Sequence, residues 1–414
     1  MRIVYLADDF PPRALGGAGI STFKMALAVK DAGHEVFVIT TCRSVADAQE
    51  FEYEGLTVIR IQSDYNPRWR AYVSLYNPKA VRKVERILKD LKPDIVHANN
   101  IHTYLSYHSL KIAKKYAKAV VWTARDVMSF TYGKLKTPQY LDRLDYKTTW
   151  IDHIKLARKR WNPFRNIIIR KYLAGVDKRF AVSYALKDAL DANGIRNVEV
   201  LHTGADVGSW NVSAEEVQKY KQKFGVENKK VILFGGRLSA AKGGDKAIEA
   251  LVKIVDRVPN AVLLVAGRVD EYTERMQKEA EKLGLGGRLI FTGWISEHEM
   301  KFAYACADVV LVPSVIFDSL PRLVVEAMAA GRPVVGTCYG GASEIVVDGE
   351  TGYVIDPHHI DEMAEKVIDL LLDEEKSKRF GEAGRRRVIT AFSSHAKTQE
   401  LLEHYEQLLT KHDN

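Results

Sequence analysis

The sequence predicts an α/β protein of two doubly wound, Rossmann-like parallel-sheet domains facing a cleft, and three observations carry that expectation. Short apolar runs alternate with amphipathic stretches from the first residue onward. The alternation restarts near residue 229 after a polar, turn-rich interval. The chain of 414 residues also exceeds the size at which one hydrophobic core keeps growing, and 46% hydrophobic with 28% charged residues is the composition of a globular protein.

Taken in order, IVYLAD, EVFVITT, LTVIRIQ, DIVHA, AVVWTA and KRFAVS are the strands of the first half, with helices such as STFKMALAVKDAGH between them. The interval LHTGADVGSWNVSAEEVQKYKQKFG has the composition of a hinge and places the boundary near Thr203. KKVILFGGRL, AVLLVAG, RLIFTG, DVVLVPS and RPVVGTC then form a second sheet of the same kind. The expected domains are 1–203, 204–393 and a terminal amphipathic helix, 394–414, able to pack on either.

Composition excludes several classes. Three widely spaced cysteines, Cys42, Cys306 and Cys338, suggest reduced core thiols in a cytoplasmic protein and no metal cluster. MRIVYLADDFPP is too short an apolar run for a signal peptide and is expected to be a first strand. No apolar run is long enough to span a membrane. The net charge of +8 is modest, and no nucleic-acid partner is expected. The segment 151–180 is the exception, with Lys155, Arg158, Lys159, Arg160, Arg165, Arg170, Lys171, Lys178 and Arg179 against Asp152 and Asp177. Interleaved with Trp161, Phe164 and Ile167–Ile169, residues 155–179 are either a solvated helix face or a surface for an anionic membrane or polyanionic acceptor.

Ligands of doubly wound sheets bind beyond the carboxyl ends of the strands, so the loops there hold the candidate site. The first, DDFPPRALGGAGIST, sets Gly16, Gly17 and Gly19 before a helix, an arrangement that suits a phosphate or a plain turn. In FGGRLSAAKGGDKAIEAL, Arg237 and Lys242 share a loop at a helix start, where a guanidinium fork and an ammonium suit a diphosphate. Solvated surface charge is the alternative. FTGWISEHEM offers the backbone of Trp294 and Ile295 to a flat base, or Trp294 is core. In FDSLPRLVVEAMAAGRPVV, Pro321 marks the helix start with Ser319 as the better cap, so Asp318 lies ahead of the helix and Glu326 in its second turn. Free N–H groups between them are a ready anion site. GTCYGGASEIVVDGETGYVIDP adds Gly340, Gly341, Glu344 and a hairpin-like turn.

In order, these loops resemble the family 4 retaining glycosyltransferases of GT-B fold over nearly the whole chain: GGAG, DAGHEVFVIT, PDIVHAN, GRLSAAKGG, DSLPRLVVEAMAAGRPVV and GGASEIVVDGETGYVIDP. The resemblance implies sugar transfer from a nucleotide sugar to an acceptor, without metal or other cofactor and with the anomeric configuration kept. It implies that Arg237 and Lys242 neutralise the donor diphosphate and that the backbone of Leu320, Pro321, Arg322 and Leu323 holds its distal phosphate. Glu326 would grip the ribose, Asp318 would face the sugar, and Gly16 and Gly17 would close over the phosphates. The second domain would then be the donor side and the first the acceptor side, taking a saccharide or lipid-linked hydroxyl. Three departures stand out: Asp318 replaces the commoner glutamate, VVWTARDVM offers Arg125 where many members carry a histidine, and LHTGAD lacks the usual asparagine. Arg125 stays protonated and is expected to bind an acceptor anion or a sugar hydroxyl at the catalytic centre. A sugar-nucleotide epimerase of the same fold and a non-catalytic partner subunit are the rival readings.

Overall fold

The computed structural model describes residues 1–13, 16–236 and 238–413, and Arg237 therefore lies outside the described residues. The chain divides into two compact units, Met1–Thr203 with Ser394–Asn414, and Gly204–Ser393.

The first unit is built on eight strands: β1 (Arg2–Leu6), β2 (Glu35–Cys42), β3 (Glu50–Tyr53), β4 (Leu56–Gln62), β5 (Ile95–Asn99), β6 (Ala119–Ala124), β7 (Lys178–Ala181) and β8 (Glu199–Val200). Their order is β3-β4-β2-β1-β5-β6-β7-β8, parallel except for β3, which pairs antiparallel with β4. The chain reverses its direction of travel through the sheet between β1 and β5, the place where such sheets open a crevice. Strands β5 and β6 are buried at every position, because helices cover both faces, and this is why they lack the alternation of a half-exposed strand. The short edge strands β3 and β8 have no such apolar signature and were not anticipated.

The helix Ser394–Asp413 completes this unit. Leu401, Leu402 and Tyr405 pack among Ile3, Tyr5 and Ala26. Tyr405 is fully buried, and its hydroxyl meets Tyr5 Oη at 3.2 Å and His97 Nδ1 at 2.5 Å, while His97 Nε2 meets Thr123 Oγ1 at 2.7 Å. Burial, aided by the charge of Arg125, holds the His97 imidazole neutral by lowering its pKa to about 3.

The second unit has six parallel strands, β9 (Lys230–Gly235), β10 (Ala261–Ala266), β11 (Leu289–Gly293), β12 (Val309–Val312), β13 (Val334–Thr337) and β14 (Gly352–Ile355), in the order β11-β10-β9-β12-β13-β14. Its direction reverses between β9 and β12. Two apolar clusters, one containing Ile232, Leu251 and Val367 and the other Leu233, Tyr304 and Val324, form the core. Local signals end its helices as expected from sequence chemistry: Ser213 with Glu216 and Ser296 with Glu299 form capping boxes, and Gly225 closes a helix in the left-handed conformation. The DGETG turn is not part of a hairpin, since it leads into β14, which runs parallel to β13. Cys42 and Cys306 are buried and Cys338 is half-buried, all three as free thiols. Among the described residues, no helix is long and apolar enough to cross a membrane.

Candidate functional site

In the second unit, three loops converge at the carboxyl ends of β9, β12 and β13. The loop after β9 closes in a short 3-10 turn, Ala240–Lys242, and then starts the helix Gly244–Arg257. Gly243 makes this possible: its φ is +73°, and a Cβ there would lie 1.9 Å from the carbonyl oxygen of Pro313. The turn is thereby pressed onto the loop after β12, where Val315 N donates to Ala241 O at 3.3 Å. Lys242 Nζ then forms an ion pair with Asp318 Oδ2, the lysine side chain 39% and the aspartate 19% exposed.

Asp318 is fixed from the opposite side by the loop after β13. Gly340, at φ +97°, lies so close that a Cβ would approach Asp318 O to 2.0 Å, while Gly341 N donates to Asp318 O at 2.9 Å and Asp318 N to Tyr339 O at 3.3 Å. The glycine pair Gly340–Gly341 thus clamps the backbone that presents the acid. Sequence reading had singled out this loop without a partner for it.

The helix after Asp318 spans Arg322–Ala329, one residue later than expected, and its cap is Pro321 in an extended conformation. Ser319 does not cap it, and no side chain does. The proline's fixed φ sets the extended cap, and the first-turn amides keep no side-chain acceptor of their own. Leu320 and Leu323 pack on the second unit's core together with Ile295, whereas Trp294 is 68% exposed and is not a core residue.

Glu326 is more tightly held than a solvated helix acid. Its Oε1 accepts from Arg322 Nη2 at 2.5 Å and its Oε2 from the hydroxyl of the buried Tyr304 at 2.8 Å, and Arg322 reaches Glu297 Oε1 at 3.4 Å. Burial works against the charge of Arg322, yet Glu326 and Glu297 outweigh it and hold the guanidinium above its ordinary pKa. The Tyr304 phenol is pushed well up by burial and by Glu326.

The first unit holds the other residues singled out. Gly16 caps the helix Gly17–Asp31 in an extended conformation, with no side-chain cap and no acid in the first turn. Arg125, at the end of β6, is 9% exposed, with Nε donating to Asn99 Oδ1 at 2.8 Å and Nη1 to Thr203 Oγ1 at 3.3 Å. It ties the end of the sheet to the last residue of its stretch of chain. Gly16 also lines a cavity of about 460 Å³ whose other walls include Asp8, Arg60, Asn100 and His102. Asp8 accepts from the backbone amides of Thr103, Tyr104 and Leu105 at 2.7, 2.8 and 2.7 Å; burial nevertheless raises its pKa to about 6. Sequence reasoning missed these residues, although a charged Arg60 inside the apolar strand LTVIRIQ was a usable signal.

Two family descriptions match the two halves: "Glycosyltransferase Family 4" over residues 15–209 and "Glycosyl transferases group 1" over residues 216–387. The chain is a glycosyltransferase. An uncharacterized glycosyltransferase of Methanocaldococcus jannaschii is 28% identical over 90% of each chain. The sulfoquinovosyl transferase of Arabidopsis thaliana is 28% identical over 86% of this chain and 64% of its own. A GDP-mannose-dependent phosphatidylinositol monomannoside mannosyltransferase of Mycolicibacterium smegmatis is 32% identical over 50% of this chain and 53% of its own. This glycosyltransferase shares its fold with sucrose-phosphate synthase from Thermosynechococcus elongatus (TM-score 0.78, 20% identity, 99% of this chain and 100% of that one). It also shares it with the Anabaena protein HepE, solved with UDP and glucose (TM-score 0.75, 19% identity, 98% and 100%). These are GT-B structures, and the chain is an enzyme of the glycosyl-transferring type.

Proposed function

We propose that this glycosyltransferase moves a sugar from a nucleoside-diphosphate sugar to a hydroxyl acceptor with retention, without metal, by attack on the face the diphosphate leaves. The observation that carries the reading is the Lys242–Asp318 pair beside an uncapped helix start, at the point where the second sheet reverses direction. A cation and oriented amides there meet the negative charge that grows on the phosphate oxygen as the glycosidic bond breaks. Lys242, with Arg237 on the same loop in sequence, neutralises the diphosphate, and the amides from Leu320 to Leu323, Pro321 excepted for want of an N–H, hold its distal phosphate. Glu326 takes the ribose, Asp318 faces the sugar, and the departing phosphate accepts the acceptor's proton. Trp294 and Ile295 flank the base, and Gly16 and Gly17 cover the phosphates. Arg125 binds the acceptor or a sugar hydroxyl, since a guanidinium has no proton to give up at working pH.

The first unit takes the acceptor, a saccharide or a lipid-linked hydroxyl. The phosphatidylinositol mannoside named for the mycobacterial relative favours the lipid-linked kind. A peripheral seat on an anionic membrane, in the cytoplasm, fits the exposed Trp150, Phe164 and Ile167 beside exposed Lys155, Arg158, Arg160 and Lys171. That surface is smaller than the sequence suggested. Arg165 is buried and donates to Met128 O, Arg179 donates to Arg196 O, and Lys178 pairs with Glu199.

The test is a thermal-shift panel of nucleoside-diphosphate sugars, since a ligand at 100 times its Kd adds about 2.7 kcal/mol of stability. It is followed by an assay for slow hydrolysis of the donor that binds. Free sugar and diphosphate are expected. An isomeric donor would instead mark an epimerase, and absence of any shift or turnover would overturn the transferase reading.

A further inference from the structure

Arg60 is a residue that donor chemistry leaves unexplained. It places a guanidinium, 7% exposed, inside the apolar strand β4, and among the described residues its side chain makes no hydrogen bond and no ion pair. Its Nη2 is buried without a partner, and the ring of Phe51 lies 4.4 Å from its central carbon. A ring face compensates a desolvated cation far less than an anion does.

Arg60 lines the cavity of about 460 Å³ at the carboxyl ends of β1, β2 and β5, a volume that accommodates a small ligand. Asp47, held below the ordinary carboxylate range by its hydrogen bond from Arg13 Nη1 at 2.5 Å and further by the charge of Arg60, makes no ion pair with Arg60. Asp8 is held by three backbone amides. Asp9 also lines the cavity. Arg43 stands at the rim, loosely set 3.5 Å from an exposed Asp64. The helix that begins after Gly16 turns its positive end toward the same space, with no acid in its first turn. A buried guanidinium whose Nη2 has no hydrogen-bond partner and a helix end of the same sign therefore share one polar cavity.

We infer that this cavity takes the acceptor and that the acceptor carries a phosphate group, gripped by the fork of Arg60 and supported by Arg13 and Arg43. The inference rests on the proposed transfer to a hydroxyl acceptor, and it names the class of that acceptor. The phosphate belongs either to a free sugar phosphate or to a lipid headgroup.

The experiment uses the full chain with its nucleoside diphosphate saturating, so that the donor's own phosphate sites are filled. Inorganic phosphate is titrated calorimetrically at constant ionic strength, with methyl glucoside as the neutral control. One saturable phosphate site is expected, weakened at least tenfold in Arg60→Gln and less in Arg60→Lys, with nucleoside-diphosphate affinity unchanged in both. Glucose 6-phosphate and short-chain phosphatidylinositol then distinguish the source: whichever binds more tightly than phosphate alone, its advantage must disappear in Arg60→Gln. Absence of saturable binding, equal binding in Arg60→Gln, or a site lost in Lys242→Ala instead would overturn the inference, as would methyl glucoside binding as tightly as phosphate. If Arg60→Gln fails to fold, Arg60→Lys decides: weaker phosphate binding than in the wild-type chain supports the site, and equal binding overturns it. Failure of the transferase reading is separate, because it appears as loss of nucleoside-diphosphate binding and donor hydrolysis in the wild-type chain.

Discussion

Lys242 and Asp318 neutralise each other, and Glu326 is occupied by Arg322 and Tyr304, so the two acids of the site start from different positions. Removing Asp318 releases a cation for the diphosphate. Removing Glu326 leaves the buried Tyr304 hydroxyl without its acceptor, which costs about 1–3 kcal/mol of stability before any effect on ligand. Asp318→Ala is therefore expected to keep or tighten nucleoside-diphosphate affinity while lowering kcat, and Asp318→Glu to retain much of the activity. Glu326→Gln preserves an oxygen for Tyr304 and is expected to weaken donor and nucleoside diphosphate alike, acting on KM. Calorimetric binding of the diphosphate beside steady-state kinetics checks both. Equal loss of diphosphate affinity in the two variants, with Asp318→Ala turnover intact, would contradict the division of labour. Lys242→Ala is expected to slow transfer by roughly 10²–10³, the size typical of one preorganised electrostatic group. Wild-type rates in that variant would remove the lysine from the diphosphate site.

Among the elements, the terminal helix and the segment 150–171 carry consequences of different kinds. The helix Ser394–Asp413 is pinned by one fully buried side chain whose hydroxyl serves Tyr5 and His97 together. Tyr405→Phe leaves His97 Nδ1 without that partner and is expected to destabilise the first unit by about 1–3 kcal/mol, read as a lower urea midpoint with an unchanged slope. An unchanged midpoint would mean that the network contributes nothing. The amphipathic pattern announced this helix, but its partner 400 residues earlier has no local trace. In the segment 150–171, aromatic and basic side chains share one exposed stretch. Binding to vesicles rich in anionic lipid is expected to fall steeply with salt, at about 1 kcal/mol per basic residue near the surface. If vesicles bind nothing even at low ionic strength, these side chains are a solvated face. Charge counting overestimated the segment because it cannot tell a buried arginine such as Arg165 from an exposed one.

For the whole molecule, the proposed mechanism relies on side chains and helix ends to meet the phosphate charge, so EDTA is expected to leave turnover nearly unchanged. Complete loss of activity restored by one divalent ion would require a metal in the site. The alternation of apolar runs and amphipathic helices was enough to establish two parallel sheets, because strand and helix periodicities are properties of neighbouring residues. The ordered glycine-rich loops and the DSLPR helix start were legible for the same reason, since a turn or a first helical residue makes its demand within a few positions. Strand order, and with it the meeting of Lys242 and Asp318 across 76 residues, was decided only by the tertiary structure. So were the support of Asp318 by Gly340 and the position of Arg60, its Nη2 buried without a hydrogen-bond partner, beside its cavity. Contacts between distant segments depend on which strands become neighbours in the sheet, and no residue's immediate neighbours in the chain encode that.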